Sequence, residues 1–466
     1  MNKRNLRLRY IIFDFIAALI TWILFMVFRR TVNDGFVLSS MMIFTPNFDY
    51  LMVLSFYPFI CLVIHYLSGF YLHPENHTKT KILMSTLASS IIISVFVFFA
   101  LLIDDAVVSY EYYYYSLFAL TALNIVITFF FRLITEAYVT RNLKTGRWII
   151  NTVIIGAGHK ALKMAEDIKK NNRRNNIVGF IPVDHFNYVP KESVLGSFSQ
   201  LDKIISKYNV HEAVIALDDP DEQNLFSYIN NLYKFNIEIR FTPRLYEILT
   251  GSARMGIAGI NPLVSITTLH MPDWQFCVKR SFDIVVALMA LIILSPLFLF
   301  FAIQIKRDSR GSVFYLQERI GYLGKPFKII KFRTMYVGSE NGMPKLSSAN
   351  DDRVTPVGRI LRRYRIDELP QFVNVLKGEM SIVGPRPERR YYINQIIEQA
   401  PYYCLLYKIR PGLTSWGPIK IGYSDSVDKM IERLNYDIVY IENMSLFNDF
   451  KILLLTLEIV FRGKGV

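Results

Sequence analysis

Four apolar runs open the chain, each long enough to cross a bilayer as a helix. They cover roughly Tyr10–Phe28, Tyr50–Tyr71, Leu83–Ile103 and Tyr112–Phe131. Lys3, Arg4, Arg7 and Arg9 precede the first run, Lys79 and Lys81 separate the second and third, and Arg132, Arg141, Lys144 and Arg147 follow the fourth. The third-to-fourth connection holds Asp104, Asp105 and Glu111 and no base. This bias predicts a bundle with both ends on the cytoplasmic side; Arg29 and Arg30, on the predicted outer side, run against it. Tyr112–Tyr115 fit an interfacial aromatic belt. The first run is long and lacks a small-residue cleavage site, which predicts a retained anchor.

From Trp148 the pattern switches to short apolar strands alternating with amphipathic helices. Thr152–Ile155, Ile177–Ile181, Glu212–Leu217 and Ile237–Phe241 read as strands. That alternation predicts a parallel, doubly wound α/β domain of Rossmann type. Its first turn, Gly156-Ala157-Gly158-His159-Lys160-Ala161, could set backbone N–H groups and a helix dipole against a phosphate, so Gly156 and Gly158 are a candidate nucleotide turn. The nearest acid for a ribose, Asp184, comes late, and a structural or regulatory domain is the plainer reading. Asp219-Pro220-Asp221 resembles a metal-binding pair but sits in a polar turn, where a solvated loop is the simpler expectation.

A fifth apolar segment, Phe282–Ile305, is interrupted by Pro296. The proline removes a helical hydrogen bond and crowds the carbonyl of Ile292, so the helix should break there. Lys279 and Arg280 precede the segment, and Lys306, Arg307 and Arg310 follow it. Bases at both ends predict a re-entrant hairpin that returns to its own face. Ser295 is placed to bond a freed backbone group. An ordinary kinked span is the alternative.

Composition sharpens this picture. The chain has 466 residues, 52% of them hydrophobic and only 20% charged, with a formal charge of +14. Such a balance suits a membrane-embedded protein of two or three domains, and basic residues beside apolar runs suit anionic lipids or phosphorylated ligands. No nucleic-acid recognition motif accompanies the basic charge, so no nucleic-acid partner is expected. Cys61, Cys277 and Cys404 are scattered, with no disulfide or zinc spacing. None of the seven histidines lies beyond His270, so carboxylates and bases must carry any chemistry of the last third.

That last third carries a series of motifs in order. They are Lys279-Arg280-Ser281-Phe282-Asp283, Ser295-Pro296, Lys331-Phe332-Arg333-Thr334-Met335, Arg365-Ile366-Asp367-Glu368-Leu369-Pro370-Gln371, Val383-Gly384-Pro385-Arg386-Pro387 and Arg410-Pro411-Gly412-Leu413-Thr414. Together they resemble the bacterial sugar transferase family, the monotopic phosphoglycosyl transferases, from about residue 275 onward. With four N-terminal spans and a Rossmann-like insert, the chain resembles the large form. The implied division is four transmembrane helices (1–147), a Rossmann-like domain (148–250), a linker (251–277), and a mainly helical monotopic catalytic domain with a re-entrant membrane helix (278–466). One departure, Ser415-Trp416-Gly417-Pro418 where the pattern more often reads Gly-Trp-Ala-Gln, bears on donor specificity rather than on the reaction.

The resemblance implies transfer of a sugar-1-phosphate from a UDP-sugar to polyprenyl (undecaprenyl) phosphate, an early membrane step of exopolysaccharide, capsule or O-antigen synthesis. Asp367 is the implied nucleophile and Glu368 the implied ligand for Mg²⁺ or Mn²⁺. Lys331, Arg333 and Arg386 are the expected phosphate contacts. The chemistry agrees: a carboxylate is a competent nucleophile towards phosphorus, and two anionic substrates require a divalent cation and basic clamps. Without the surrounding motifs, Asp367-Glu368 would read as a solvated helix start. Arg359, Arg362, Arg363 and Arg365 suggest a lipid-facing surface, and Ile452–Phe461 is either an interfacial or a core helix. The implied setting is the bacterial inner membrane, with catalysis facing the cytoplasm and lipids as partners; the oligomeric state is left open, a homodimer being one candidate.

Two rivals remain. A membrane-anchored nucleotide-sugar dehydratase would need Tyr-x-x-x-Lys, and none of the 28 tyrosines has a lysine four residues on. A membrane scaffold of polysaccharide assembly would leave the carboxylate and arginine motifs without a purpose.

Overall fold

The computed structural model describes residues 3–33, 48–104, 110–145, 148–171, 175–183, 188–218, 222–235, 237–241, 264–265, 271–339, 351–422 and 426–461. Asp184, Asp219-Pro220-Asp221 and most of the expected linker lie outside them. The chain divides into two compact units, residues 1–149 with 272–278, and 150–271 with 279–466.

The first unit contains α1 (Lys3–Asn33), α2 (Phe48–Leu67), α3 (Lys79–Asp104) and α4 (Tyr110–Lys144). α1, α3 and α4 contain stretches long and apolar enough to cross a membrane, and Phe56–Leu67 of α2 is a shorter apolar stretch. Trp22, Phe25, Tyr57, Cys61, Ile93 and Leu120 interlock at the bundle core. α4 runs well past the predicted end at Phe131. Arg132, read from the sequence as a flanking charge, is wholly buried. Its Nε and Nη2 donate to the two carboxylate oxygens of Asp14 at 3.0 and 2.8 Å, and Nη1 donates to Thr86 Oγ1 at 3.0 Å. Tyr71 Oη also donates to Asp14, at 2.7 Å. An apolar span carries such a cation only where a counter-charge is built in, and Asp14 in the first run supplies it.

The second unit begins with an α/β layer. It consists of β1 (Ile150–Ile155), α5 (His159–Asn171), β2 (Asn175–Ile181), α6 (Leu201–Tyr208), β3 (Glu212–Ile215), α7 (Glu222–Tyr233), β4 (Glu238–Phe241) and β5 (Val264–Ser265). Strand order is β2-β1-β3-β4-β5; the first four are parallel and β5 is antiparallel. Parallel strands buried on both faces are near-continuous apolar runs, which is why the sequence exposed them. β5 is only two residues long and gave no such signal. A polar ladder ties the strands at one end. Glu212 accepts from Thr152 Oγ1 and Asn175 Nδ2 and pairs with Arg240 at 3.1 Å.

Next come α8 (Asp273–Ile293) and α9 (Ser295–Asp308), bent by 59° at Leu294. Pro296 occupies the first turn of α9, where its missing N–H costs nothing. The carbonyl of Ile292, which the proline cannot satisfy, accepts a hydrogen bond from Ser295 Oγ at 2.8 Å. The predicted break therefore has the predicted partner.

The remainder is mainly helical, as expected, with two small sheets. β6 (Phe314–Ile320) and β7 (Pro326–Phe332) form an antiparallel hairpin. α10 (Pro356–Arg363), α11 (Phe372–Lys377), β8 (Ser381–Val383), α12 (Arg390–Gln399), β9 (Gly412–Thr414), α13 (Trp416–Ile421), α14 (Val427–Glu442) and α15 (Leu446–Phe461) complete it, with β8 parallel to β9. Ile305 of α9, Phe332 of β7 and Leu361 of α10 form a small core, joined by Phe298, Val357 and Ile366. That core fixes the end of the bent helix pair beside the residue preceding Asp367.

Candidate active site

Asp367 and Glu368 lie on a 3-10 segment, Ile366–Gln371, interrupted by Pro370. The residue before it, Arg365, is left-handed at φ 55°. A non-glycine residue there costs roughly 1–2 kcal/mol, a strain that concentrates at functional sites. It turns the chain sharply out of α10, whose N-cap Thr355 Oγ1 accepts from Gly358 N at 3.0 Å. Gly358 has no room for a Cβ, which would stand 2.2 Å from Thr334 O, so α10 lies hard against the end of β7.

Three cations converge on Glu368. Lys331 Nζ, from β7, lies 2.7 Å from Oε1, and Arg386 Nη2 lies 3.0 Å from the same oxygen. Arg365 Nη1 stands 4.0 Å from Oε2. Burial alone would raise Glu368, but Lys331, Arg386 and Arg365 outweigh it and hold its carboxyl well below the usual range. Asp367 is the reverse case. It is 9% exposed and has no hydrogen-bond partner among the described residues. Burial and then the neighbouring Glu368 push it up to about 6, against the pull of Lys331, Arg362 and Arg386. It is thus a buried carboxyl with no hydrogen-bond partner among the described residues and close to several cations, an arrangement that can serve a nucleophile.

Arg333 lies elsewhere. β7 ends at Phe332, so the alternation that would set Arg333 on the face of Lys331 stops one residue short. Its Nη2 instead donates to Ser309 O at 2.7 Å, to Ser309 Oγ at 3.0 Å and to Ile305 O at 3.4 Å, closing the C-terminal end of α9. The Lys279-Arg280-Ser281-Phe282-Asp283 motif also holds the membrane helix pair in place. Lys279 Nζ bonds Val383 O at 2.9 Å and Asp449 Oδ2 at 2.6 Å, Arg280 caps α11 through Val375 O, and Asp283 accepts from Ser381 Oγ and Ile382 N. The arginine run splits by helical phase. Arg359 and Arg363 are exposed, whereas Arg362 turns in to Thr334 Oγ1 at 2.9 Å and Arg365 towards Glu368.

A second buried network was not legible in the sequence. Glu388 accepts from Arg319 Nη1 at 3.1 Å and from Arg433 Nη2, and Arg319 also donates to Pro387 O at 3.2 Å. It braces the segment carrying Arg386. Beneath it, Asp437 is 1% exposed and accepts from Gly417 N at 3.2 Å. Burial pushes Asp437 up to about 6, only partly offset by Arg433. Its native carboxyl therefore holds a proton to higher pH than the unfolded one. The site favours folding below about pH 4 and loses that contribution as pH rises through about 6. Asp437→Asn, which imitates the protonated form, should melt above wild type near pH 8, by an equivalent of at most about 3 kcal/mol, and converge with it near pH 4. Thermal denaturation at the two pH values checks this; a variant less stable than wild type near pH 8 contradicts it.

In the α/β layer, Gly156 is at φ 122°, and a Cβ there would stand 2.2 Å from Ala216 O. The turn exists, but its anion-binding position is taken. Asp218 Oδ2 and Oδ1 accept from the N–H groups of His159 and Lys160 at 2.7 and 2.8 Å, and Lys160 Nζ donates to Asp218 O at 2.9 Å. The chain's own carboxylate sits where a phosphate would go, so these residues do not fit a phosphate ligand at this turn.

For a divalent cation the test comes out differently. Among the described residues no group of three or more His, Cys, Asp or Glu side chains is clustered. Mg²⁺ commonly takes only one or two carboxylates and fills its shell with water and phosphate oxygens. Glu368, a carboxylate beside Lys331 and Arg386 at the site, fits such a one-carboxylate donor set.

Comparison with known proteins gives the same assignment. The family model for the bacterial sugar transferase matches residues 274–463, and one described as a CoA-binding domain matches residues 67–243. The UDP-N-acetylgalactosamine-undecaprenyl-phosphate N-acetylgalactosaminephosphotransferase of Aeromonas hydrophila is 38% identical over 49% of this chain and 54% of its own length. The UDP-glucose:undecaprenyl-phosphate glucose-1-phosphate transferase of Escherichia coli is 34% identical over 58% of each. The chain thus spans a little over half the length of these two relatives. An uncharacterized sugar transferase of Haemophilus influenzae is 30% identical over 77% of this chain and 79% of its own length. With motifs, site geometry and a relative matched over most of its length in agreement, the chain belongs to the bacterial sugar transferase family.

Proposed function

We propose that this protein transfers a sugar-1-phosphate from a UDP-sugar to polyprenyl phosphate at the cytoplasmic face of the bacterial inner membrane. The observation that carries the reading is the buried Asp367, without a hydrogen-bond partner among the described residues, beside a carboxylate gripped by Lys331 and Arg386. An oxygen of Asp367 forms a bond to the β-phosphorus, the bond from that phosphorus to the bridging oxygen breaks, and UMP leaves with the electron pair. An oxygen of the lipid phosphate then attacks the same phosphorus and Asp367 leaves as carboxylate. Lys331 and Arg386, prepositioned on Glu368, are the groups to grip phosphate oxygens when substrate competes for them. Glu368 would hold Mg²⁺ or Mn²⁺, which when bound lowers charge repulsion at the phosphates. Catalysis is assigned to residues 278–466, where every one of these groups lies. The named relatives of Aeromonas and Escherichia act on UDP-sugars and undecaprenyl phosphate, which supports the substrate classes. Purified protein with polyprenyl phosphate and a panel of UDP-sugars should release UMP with at least one sugar. Failure with every sugar favours the scaffold reading.

The same reading makes α8 and α9 a re-entrant pair, supported by the 59° bend and by bases on both flanks. Such a pair brings Asp367 to the inner leaflet, where the phosphate of the lipid acceptor lies. Single cysteines introduced near Lys279 and Arg310 should both label from the cytoplasmic side. Pro296→Leu with Ser295→Leu should straighten the pair and shift labelling near Arg310 to the outer side. Labelling of the two ends from opposite sides in the unmodified protein would refute the hairpin.

A further inference from the structure

The strand order β2-β1-β3-β4 changes direction between β1 and β3. Open parallel sheets bind ligands in the crevice at such a reversal, outside the carboxyl ends of the strands. In this protein the chain itself enters that crevice. Ala216 N donates to Ile155 O at 2.9 Å, which keeps β3 paired with β1 one residue beyond Ile215. Asp218 emerges two residues later, beside the glycine turn that follows β1.

Three features make Asp218 a fitted part of that turn. Its two carboxylate oxygens take one N–H each, from His159 and from Lys160. These residues open α5, where the first N–H groups have no partner within the helix and carry the positive end of its dipole. Lys160 Nζ then closes on the backbone oxygen of the same aspartate. The second feature is space. A Cβ at Gly158 would stand 1.8 Å from Asp218 Oδ2, so the room that this glycine leaves is already filled by the carboxylate. The third is cover on the outer side. Tyr188 N donates to Ala157 O at 2.9 Å, and the Tyr188 ring stacks on His159 at 4.1 Å.

We infer that Asp218 is the permanent anion of this turn, and that the domain binds no CoA, dinucleotide or other phosphate ligand there. The glycines that admit a pyrophosphate in nucleotide-binding turns here admit a side chain of the protein itself. An incoming phosphate would need both N–H groups that Asp218 holds, and it would sit against a like charge. The aspartate is tethered, so it competes at an effective concentration that a free ligand must exceed. The family model described as a CoA-binding domain, which matches residues 67–243, therefore marks the fold of this layer and not a cofactor. The same geometry has a converse. With the carboxylate removed, two N–H groups, the Lys160 side chain and the space beside Gly158 are released to an external anion.

Hydrogen–deuterium exchange of the full-length protein in detergent, read by mass spectrometry, tests this at the turn itself and apart from any anion bound near Asp367. In the unmodified protein the segment containing His159 and Lys160 should exchange at one rate with and without CoA, NAD⁺, adenosine 5′-monophosphate or sulfate. Asp218→Ala should speed its exchange about tenfold or more, as loss of charge-assisted hydrogen bonds does. Sulfate should restore the protection, and chloride at equal ionic strength should not. Asp218→Asn keeps one acceptor in place and should lie between the two in both respects. Exchange in β1 and β3 reports whether the layer stays folded; where Asp218→Ala unfolds it, Asp218→Asn carries the comparison. Slower exchange at the turn of the unmodified protein with CoA, NAD⁺ or adenosine 5′-monophosphate would overturn the inference. So would a folded variant whose turn exchanges as in the unmodified protein, or one that sulfate fails to protect.

Discussion

Asp367→Asn should reduce UMP release by about 10⁴-fold or more, since removing a covalent nucleophile commonly costs that much or more. The change is nearly isosteric and removes a buried charge without a hydrogen-bond partner among the described residues, so the fold should survive it. Circular dichroism and thermal denaturation of the variant should match or exceed wild type. Glu368→Gln is the informative contrast. It keeps the nucleophile but releases the charge pairing on Lys331 and Arg386, so activity should fall while any residual reaction still proceeds through Asp367. Undiminished UMP release by a well-folded Asp367→Asn protein would remove the aspartate from the mechanism.

Glu388→Ala should be the most damaging single change outside the reacting pair. Arg319 and Arg433 are both largely buried against that one carboxylate. Truncating it leaves Arg319 with neutral acceptors alone and Arg433 with only Asp437 nearby, in a closed environment, at about 3–5 kcal/mol. For a domain of this size that lowers the melting temperature by about 10 °C. Arg386 lies two residues away, so UMP release should fall as well. Glu388→Gln retains acceptors without the charge and should be intermediate on both measures. A melting temperature for Glu388→Ala within about 2 °C of wild type would show that the network is not holding this segment.

What the sequence reveals and what it hides follow from range. The four N-terminal helices, the parallel strands and the break at Pro296 are local features: apolar length, period and a missing N–H are each written within a few residues. The β6–β7 hairpin is also local, but Phe314–Ile320 is mostly exposed at its start and lacks a clear alternation. Read as motif letters, Lys331-Phe332-Arg333 gave two phosphate contacts. Read as the end of a strand, it sets Lys331 beside Glu368 and Arg333 on Ser309 and Ile305 at the end of α9. Long-range pairings had no local signal at all. Arg132 found Asp14, Arg319 and Arg433 found Glu388, and Asp218 filled the Gly156–Gly158 turn, each from 45 or more residues away. Buried ion pairs of this kind are chosen by the fold, so sequence spacing cannot expose them.

A covalent aspartyl intermediate is the centre of the proposed reaction, and one measurement addresses it directly. Wild-type protein is incubated with a UDP-sugar labelled in the β-phosphate, without lipid acceptor, and quenched in acid. The account predicts a burst of UMP no greater than one per enzyme, with the label retained on the peptide containing Asp367 and released on adding polyprenyl phosphate. Release of UMP only when both substrates are present, with no label on the protein at any time, would contradict it.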